Sequence, residues 1–256
     1  MNIKEIVKLN MALGNNTIIN GIEYYYPDIK DDKTKDILVA KVIDKSIEEA
    51  ILPDGVNMID PSGFIGCSKL KRVSIPKGVS VEPQVFDDCE SLEFLELPDG
   101  LLGMYAFSFR NCTSLRNIYL PKGIGCIGLG AFSGCRNLVS IDIPEGVRII
   151  YRLAFRGCSS LKSVKLPNTL KRIESGAFSD CMELEEITIP ESVKLIESFA
   201  FENCTNLRKL TILGETDFMN KVFKGCTLQE VTIPKKVVEG FVNAGGNKIN
   251  TVWKFT

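Results

Sequence analysis

The 256-residue sequence contains no histidine. Histidine is the commonest general base of enzymes and a frequent metal ligand, so its absence disfavours serine, cysteine and zinc chemistry of the usual kinds. An excess of charge is also missing, because 31 lysine and arginine residues are balanced by 32 aspartate and glutamate residues. A chain with a net charge of -1 has no general attraction for nucleic acid or anionic lipid. We therefore predict a non-enzymatic protein without cofactor, metal or nucleic-acid partner.

Long apolar runs are missing as well. A bilayer-spanning helix needs about 20 consecutive apolar residues, and no segment approaches that length. Residues 1–8 carry Glu5 and two lysines where a signal peptide needs a continuous apolar segment. The sequence therefore predicts no membrane insertion, and indicates either a cytoplasmic protein or a chain from which a leader has been removed.

Cysteine is abundant, and its spacing is regular. Eight of the nine cysteines recur at intervals of 22 or 23 residues, and a phenylalanine stands three residues before each. The pairs are Phe64/Cys67, Phe86/Cys89, Phe109/Cys112, Phe132/Cys135, Phe155/Cys158, Phe178/Cys181, Phe201/Cys204 and Phe223/Cys226. An internal period of this length is typical of a solenoid or a propeller.

A short alternating apolar run follows each cysteine. In residues 138–144 it reads Leu-Val-Ser-Ile-Asp-Ile-Pro, the pattern of a strand that ends at proline. A glycine turn and a second apolar pair, Val147 and Ile150, complete the copy. Residues 47–56 match the strand half of a further copy, with Asp44 in place of the cysteine. Because one copy cannot bury its own apolar face, we predict a single stack of eight full coils plus one partial coil.

Copies of the form Ala-Phe-x-x-Cys-x-x-Leu-x-x-Ile-x-Ile-Pro-x-x-Val-x-x-Ile resemble the BspA-type leucine-rich repeat. Residues 154–173 carry an apolar residue, cysteine or proline at every marked position. The resemblance implies a leucine-rich-repeat solenoid, a right-handed β/α superhelix of short parallel strands joined by turns or single helical turns. Leu213 stands where the pattern has proline, so residues 213–217 are expected to bend or loosen the stack.

The repeat pattern disappears at both ends of the chain. We predict an N-terminal cap over residues 1–42, built from a short helix (3–13) and a β-hairpin. The solenoid covers residues 43–234, and residues 235–256 form a C-terminal cap with Trp253 over the last coil, because terminal repeats must cover the exposed core.

The repeated cysteines are interpreted as a structural column. Stacked thiols one coil apart act as small buried apolar groups and help to satisfy backbone groups of the turns. Cys126 lies outside the column and is predicted to be a partly exposed free thiol. The glycosylation motifs at Asn111 and Asn203 share one repeat position just before the cysteine, so their recurrence is attributed to the turn.

The strand positions that alternate away from the core line an open face of the solenoid. Phe94 and Tyr119 are predicted to lie there on adjacent strands. Exposed aromatics flanked by charges are typical of protein-binding hot spots. Alternatively, the two rings only shield each other across the sheet, a contact worth about 0.2–1 kcal/mol. The predicted partner-binding residues are Arg72, Phe94, Glu96, Asn117, Tyr119 and Asp142.

The predicted function is recognition of a protein, or of a cell-surface glycan, by the open strand face of a monomer. The family resemblance implies surface proteins of bacteria or protists that act in adhesion, and hence a cell-surface or secreted location. The alternative is an intracellular scaffold or assembly protein. The missing signal peptide and the apparently unpaired cysteines favour that alternative.

Overall fold

The computed structural model describes residues 1–26, 38–79, 81–246 and 252–255. The sequence also predicts a charged, solvated turn at residues 28–36 between the two strands of the N-terminal hairpin, and this turn lies outside the described ranges. The chain forms a parallel β-solenoid of about nine coils with little helix, as predicted. None of the helices in the described ranges has the length and apolar composition needed to cross a bilayer.

A short helix and a small sheet precede the first coil. Helix α1 (Ile3–Ala12) begins at Asn2, whose side chain accepts a hydrogen bond from the Glu5 backbone amide while the Glu5 carboxylate accepts one from the Asn2 amide, each at 3.0 Å. This reciprocal cap satisfies two amides that the first helical turn leaves free. Strands β1 (Thr17–Ile19), β2 (Ile22–Tyr25) and β3 (Val39–Val42) pair antiparallel in that order. The predicted helix and hairpin are therefore present, with one strand added.

Two columns of short parallel strands run along the solenoid. The first column contains β4 (Glu49–Ile51), β6 (Arg72–Ser74), β7 (Phe94–Glu96), β9 (Ser140–Asp142), β11 (Ser163–Lys165), β13 (Glu186–Ile189), β15 (Lys209–Ile212), β17 (Glu230–Ile233) and β18 (Val252–Phe255). The second column contains β5 (Met58–Ile59), β8 (Cys126–Ile127), β10 (Ile149–Ile150), β12 (Arg172–Ile173), β14 (Leu195–Ile196) and β16 (Asp217–Phe218). Strand β5 pairs in parallel with β3 and so connects the N-terminal sheet to the second column.

The Phe-x-x-Cys turns form the third side of each coil. Their eight phenylalanine rings are fully buried and stack in sequence, with neighbouring centroids 5.1–5.7 Å apart. Seven of the column thiols donate a hydrogen bond to the phenylalanine carbonyl one coil earlier, at 3.0–3.2 Å. Cys158, for example, donates to Phe132. The predicted structural role of the cysteine column is therefore confirmed.

The residue before each column cysteine has a left-handed backbone, with φ between 58° and 83°. Glycine adopts this conformation freely, and asparagine and aspartate tolerate it better than other residues. Asn111 and Asn203 occupy this position, and their amides donate to the carboxylates of Asp88 and Asp180 one coil earlier, at 2.8 and 2.9 Å. Turn geometry thus accounts for the recurrence of asparagine here, as predicted.

The first column does not form one continuous sheet. Its ladder is interrupted between β7 and residues 116–120, between these residues and β9, and between β11 and β13. Residues 116–120 form no strand, contrary to the prediction that every copy contributes one. Each interruption follows a copy with leucine at its second core position, namely Leu97, Leu120 and Leu166.

The copies that carry β-branched isoleucine at the same position continue into a paired strand. These isoleucines are Ile75, Ile143, Ile189, Ile212 and Ile233. Leu52 is an exception, because its strand also pairs with the next one. Branched side chains suit the pleated surface of a sheet better than leucine, which explains the trend.

The region around Leu213 is not loosened. Strand β15 pairs with β13 and with β17, and the Leu213 amide donates to the Ile189 carbonyl at 3.0 Å. Gly214 fits closely against the coil before it, since a Cβ at this position would lie 2.5 Å from the Glu191 carbonyl oxygen. The expectation of a loosened stack at 213–217 is therefore wrong for the strand ladder.

The last described coil is covered by helical turns and a strand. A 3-10 turn (Lys235–Val237) leads into helix α2 (Val238–Phe241), and the following turn, Val242–Gly246, is kinked at Gly245, whose φ is 87°. Strand β18 pairs in parallel with β17, and its Trp253 ring meets the Phe241 ring edge-on, with centroids 5.6 Å apart. These contacts agree with the predicted position of Trp253. The domain limits at residues 42 and 234 stay a prediction.

Candidate binding site on the strand face

The outward side chains of the first column are accessible, as their alternation predicts. Phe94 is 56% exposed and Tyr119 is 72% exposed, whereas Val73, which points inward from β6, is buried. Glu96, Asn117 and the other predicted site residues are also exposed. The alternation thus assigns the open face correctly, including at residues 117–119, where no strand forms.

Phe94 is held against an arginine on the neighbouring strand. The Arg72 guanidinium carbon lies 5.0 Å from the centroid of the Phe94 ring, a cation–π contact. Arg72 also pairs with Glu49 on β4, with 3.5 Å between Nε and Oε1. On the same strands, the Ser74 hydroxyl donates to Glu96 Oε2 at 3.3 Å. The Phe94 ring therefore already packs against Arg72 before any partner binds.

Phe94 and Tyr119 do not lie on adjacent paired strands, which corrects the sequence prediction. Tyr119 belongs to residues 116–120, which form no strand and do not pair with β7. The inward residues of the preceding copy, Leu95 and Leu97, are only partly buried. Neither is branched at Cβ, so this copy lacks the β-branched inward residues that support pairing elsewhere. Across the described ranges, no ring contact joins Phe94 to Tyr119, and the Arg72 guanidinium covers Phe94 instead.

The interruption after β7 opens a cleft in the strand face. No backbone hydrogen bond joins residues 93–97 to residues 116–120 within the described chain, whereas the Val139 amide still donates to the Arg116 carbonyl at the next interruption. The resulting cleft has a volume of about 540 Å³. We call it the aromatic cleft; its walls are formed by Glu49, Ile51, Arg72, Val73, Ser74, Glu93, Phe94, Leu95, Glu96, Ser114, Arg116, Asn117, Asn137.

The aromatic cleft brings together four of the six predicted binding residues, namely Arg72, Phe94, Glu96 and Asn117. Tyr119 and Asp142 do not line it and lie further along the same face. The predicted set is therefore divided between the cleft and the open surface next to it.

Two lining residues that the sequence analysis missed are Arg116 and Asn137. With Asn117, they present a guanidinium and two carboxamides that no hydrogen bond or ion pair of the described residues engages. In sequence they resemble ordinary solvated residues beside a strand. The sequence feature that indicates the cleft is Leu97, because the strand ladder is interrupted after the copy that carries this leucine.

A second concavity adjoins the aromatic cleft through Asn137. It has a volume of about 520 Å³ and is lined by Glu90, Asn111, Thr113, Arg136 and Asn137. All five side chains are polar, so this concavity, here the polar annex, extends the aromatic cleft into a surface rich in hydrogen-bonding groups.

The site offers stacking and hydrogen bonding. Within the described residues, no group of three or more histidine, cysteine, aspartate or glutamate side chains is placed to hold a metal ion. Burial raises the pKa of the Cys126 thiol, which lies on β8 outside the cleft and is partly exposed, as predicted. A thiol whose pKa is raised is a poor nucleophile at neutral pH.

Comparison with known proteins agrees with the fold. The family model for the BspA-type leucine-rich repeat region matches residues 43–150 and 126–240 with six copies. A leucine-rich repeat protein of Bacteroides ovatus is 26% identical, with a TM-score of 0.76 over 86% of this chain and 59% of its own. The T. pallidum leucine-rich repeat protein is 29% identical, with a TM-score of 0.58 over 93% of this chain and 100% of its own.

A leucine-rich repeat protein of Eubacterium ventriosum is 27% identical, with a TM-score of 0.52 over 70% of this chain and 49% of its own. This chain thus spans 59% of the length of the Bacteroides ovatus protein. No curated protein matches significantly. The fold and these similarities place the protein in the class of leucine-rich-repeat solenoids. The chain belongs to the BspA-type leucine-rich repeat family.

Proposed function

We propose that the protein is a non-enzymatic recognition module that binds a protein partner on its open strand face. The observation that carries the proposal is the exposure of Phe94 and Tyr119 on a face whose other side chains are mostly small or charged. An aromatic ring that is solvated in the free protein gives up water on binding and loses few rotamers. Such residues supply most of the binding energy in many interfaces.

The contact between Phe94 and Arg72 supports the same proposal. Its ring is already packed by Arg72, which in turn pairs with Glu49. A residue that is ordered before binding pays less entropy when the complex forms. Phe94 is therefore the proposed centre of the interface, with Glu96, Asn117, Tyr119 and Asp142 around it.

The proposed location is the cell surface or the exterior, where a surface adhesin would meet a host protein or another cell. The family supports this location, because the resemblance implies adhesive surface proteins. The nine free cysteines favour the second candidate, an intracellular scaffold, because reduced thiols persist in reducing compartments. Locating the protein in its own cells by fractionation would decide between the two candidates.

The double variant Phe94→Ala, Tyr119→Ala tests the proposed interface. A partner is first identified by crosslinking and pull-down with the wild-type protein, and its affinity is then measured with purified components. We expect binding at least about tenfold weaker in the double variant, with an unchanged melting temperature because no core residue is altered. The matched control is Thr188→Ala, Thr211→Ala on the same face, which should bind like the wild type. Equal affinity of both double variants would contradict the proposal.

A further inference from the structure

We propose that the aromatic cleft and the polar annex together bind a neutral oligosaccharide. Phe94 would be the stacking platform, and Arg116, Asn117 and Asn137 would donate and accept hydrogen bonds. This inference deepens the proposed function and rests on it in one respect, the use of the strand face near Phe94. If the partner is a glycoprotein or a cell surface, this site would bind its carbohydrate.

The size and shape of the two concavities fit an extended small ligand. The cleft of about 540 Å³ and the annex of about 520 Å³ meet at Asn137. Each lies within the range of about 300–1,000 Å³ found for ligand pockets. A groove of this form accommodates several sugar rings in line, with one ring beside Phe94 and others along the annex.

The chemistry of the lining matches the two surfaces of a sugar ring. One face of a pyranose presents C–H groups, which pack on an aromatic ring, and its rim carries hydroxyls that donate and accept hydrogen bonds. Phe94 provides the ring, because the residue stays 56% exposed although the Arg72 guanidinium lies over the ring. The carboxamides of Asn117 and Asn137 can each donate and accept, while the Arg116 guanidinium donates in a planar fork. Neighbouring hydroxyls of one sugar ring can bond to the two ends of such a planar group.

The free polar groups also argue against an apolar protein side chain as the occupant. The side chains of Arg116, Asn117 and Asn137 have no partner among the described residues. If an apolar group covered them, each would lose water without gaining a hydrogen bond, which costs about 1–3 kcal/mol per group. A polyhydroxylated ligand replaces the lost water with hydrogen bonds.

The charge of the lining favours a neutral ligand. Four carboxylates and three guanidinium groups surround the two concavities, and they nearly balance; they are Glu49, Glu90, Glu93, Glu96, Arg72, Arg116 and Arg136. Arg72 is already paired with Glu49. A balanced lining has little field to attract sulfated or sialylated chains.

The test is binding of the purified protein to an array of defined oligosaccharides, both neutral and acidic. We expect retention of neutral structures, and affinities that change little when ionic strength rises tenfold, because screening weakens only charge-driven contacts. The variants Asn137→Ala and Arg116→Ala should each bind the retained sugar at least about tenfold more weakly. Thr188→Ala and Thr211→Ala, which lie outside the cleft, should bind it like the wild type. Inhibition of glycoprotein binding by the free sugar shows whether the protein binds the same carbohydrate on a partner.

Several results would overturn the proposal. These are retention of no oligosaccharide, retention of acidic chains alone with steep salt dependence, or equal binding by the Asn137→Ala variant. Folding of each variant is verified by its melting temperature. Failure of this proposal is distinguishable from failure of the proposed function. If the double variant Phe94→Ala, Tyr119→Ala loses affinity for the protein partner but Asn137→Ala does not, the sugar site is excluded and the protein interface is retained.

Discussion

The Arg110 guanidinium binds the Asp87 carboxylate through two hydrogen bonds across one coil boundary, with 2.7 Å between Nε and Oδ1. Asp87 is only 3% exposed, while the Arg110 side chain retains 38% exposure and also lies over the Phe107 ring. Planar two-point pairing of this kind is stronger than a single contact. The pair therefore joins the turn that contains Cys89 to the turn that contains Cys112.

Replacing Arg110 by alanine should destabilise the protein by about 2–4 kcal/mol, because the buried Asp87 carboxylate would lose its cation. Lys71→Ala is the matched control, since its pair with Glu48 also crosses one coil boundary but has both side chains exposed. Exposed pairs contribute at most about 1 kcal/mol. Urea unfolding measures both effects, and similar losses in the two variants would contradict the prediction.

Phe155→Ala should lower the free energy of unfolding by about 2–5 kcal/mol, as for other large-to-small core changes. Its ring is fully buried between Phe132 and Phe178, with centroids at 5.3 and 5.1 Å. Leu161→Ala, in the same coil and equally buried, should have a comparable effect. Thr188→Ala on the open face should be nearly silent in chemical unfolding. Equal effects at Phe155 and Thr188 would show that the inward and outward positions are misassigned.

All nine cysteines should react with a thiol reagent under denaturing, non-reducing conditions, since each is a free thiol in the structure. In the native protein, Cys126 should react first, because it is the partly exposed one while the other eight are buried. The Cys126→Ala variant provides the control and should lose the fast-reacting thiol. Recovery of disulfide-protected pairs would contradict the cysteine column and strengthen an extracellular assignment.

Stability should fall in alkali as the pH rises above about 8.5, the ordinary pKa of a cysteine thiol. Burial raises the pKa of Cys135 to about 12, so the folded protein keeps this proton where the unfolded chain releases it. The stabilisation is complete below the unfolded pKa and is lost as the pH rises toward the folded value. Urea unfolding measured from neutral pH to about pH 10 tests this, and Cys135→Ala should show a shallower decline. Identical slopes for the two proteins would refute the contribution of this thiol.

Leu97→Ile should favour pairing between β7 and residues 116–120 and so narrow the aromatic cleft. A volume-conserving core change of this kind costs less than about 1.5 kcal/mol, so the fold should survive. Slower amide exchange in residues 116–120, measured by mass spectrometry, is the expected result. The control is Leu52→Ile, where the ladder is already continuous and exchange should not change. Unaltered exchange at 116–120 would mean that the leucine does not cause the interruption.

The repeat made most of the fold predictable. Side chains such as Phe155 and Cys158 recur at a fixed spacing because every coil places them in the same environment, so spacing alone identifies the buried column. The left-handed turn before each cysteine could be predicted equally well, because Asn111 and Asn203 replace glycine at a position where few other residues fit.

The interruptions of the ladder could not be predicted in the same way. Leu97 and Ile143 are both apolar and occupy the same inward position, so a pattern of apolar and polar residues treats them alike. They differ in side-chain branching, a small energetic preference that acts together with the rest of the coil. Arg116 and Asn137 were missed for this reason, because they line a cleft only once the ladder has opened.

The interruption between β7 and residues 116–120 has a mechanical consequence. Each coil of a solenoid contacts only its neighbours, so its stability is a sum of intrinsic and nearest-neighbour terms. Across the boundary after β7 the first column of the described chain supplies no ladder hydrogen bond, so the two coils are joined there by their other two sides, including the Arg110–Asp87 pair. A ligand that contacts both walls of the cleft would add a link on the first side and would raise the force needed to separate these two coils along the coil axis.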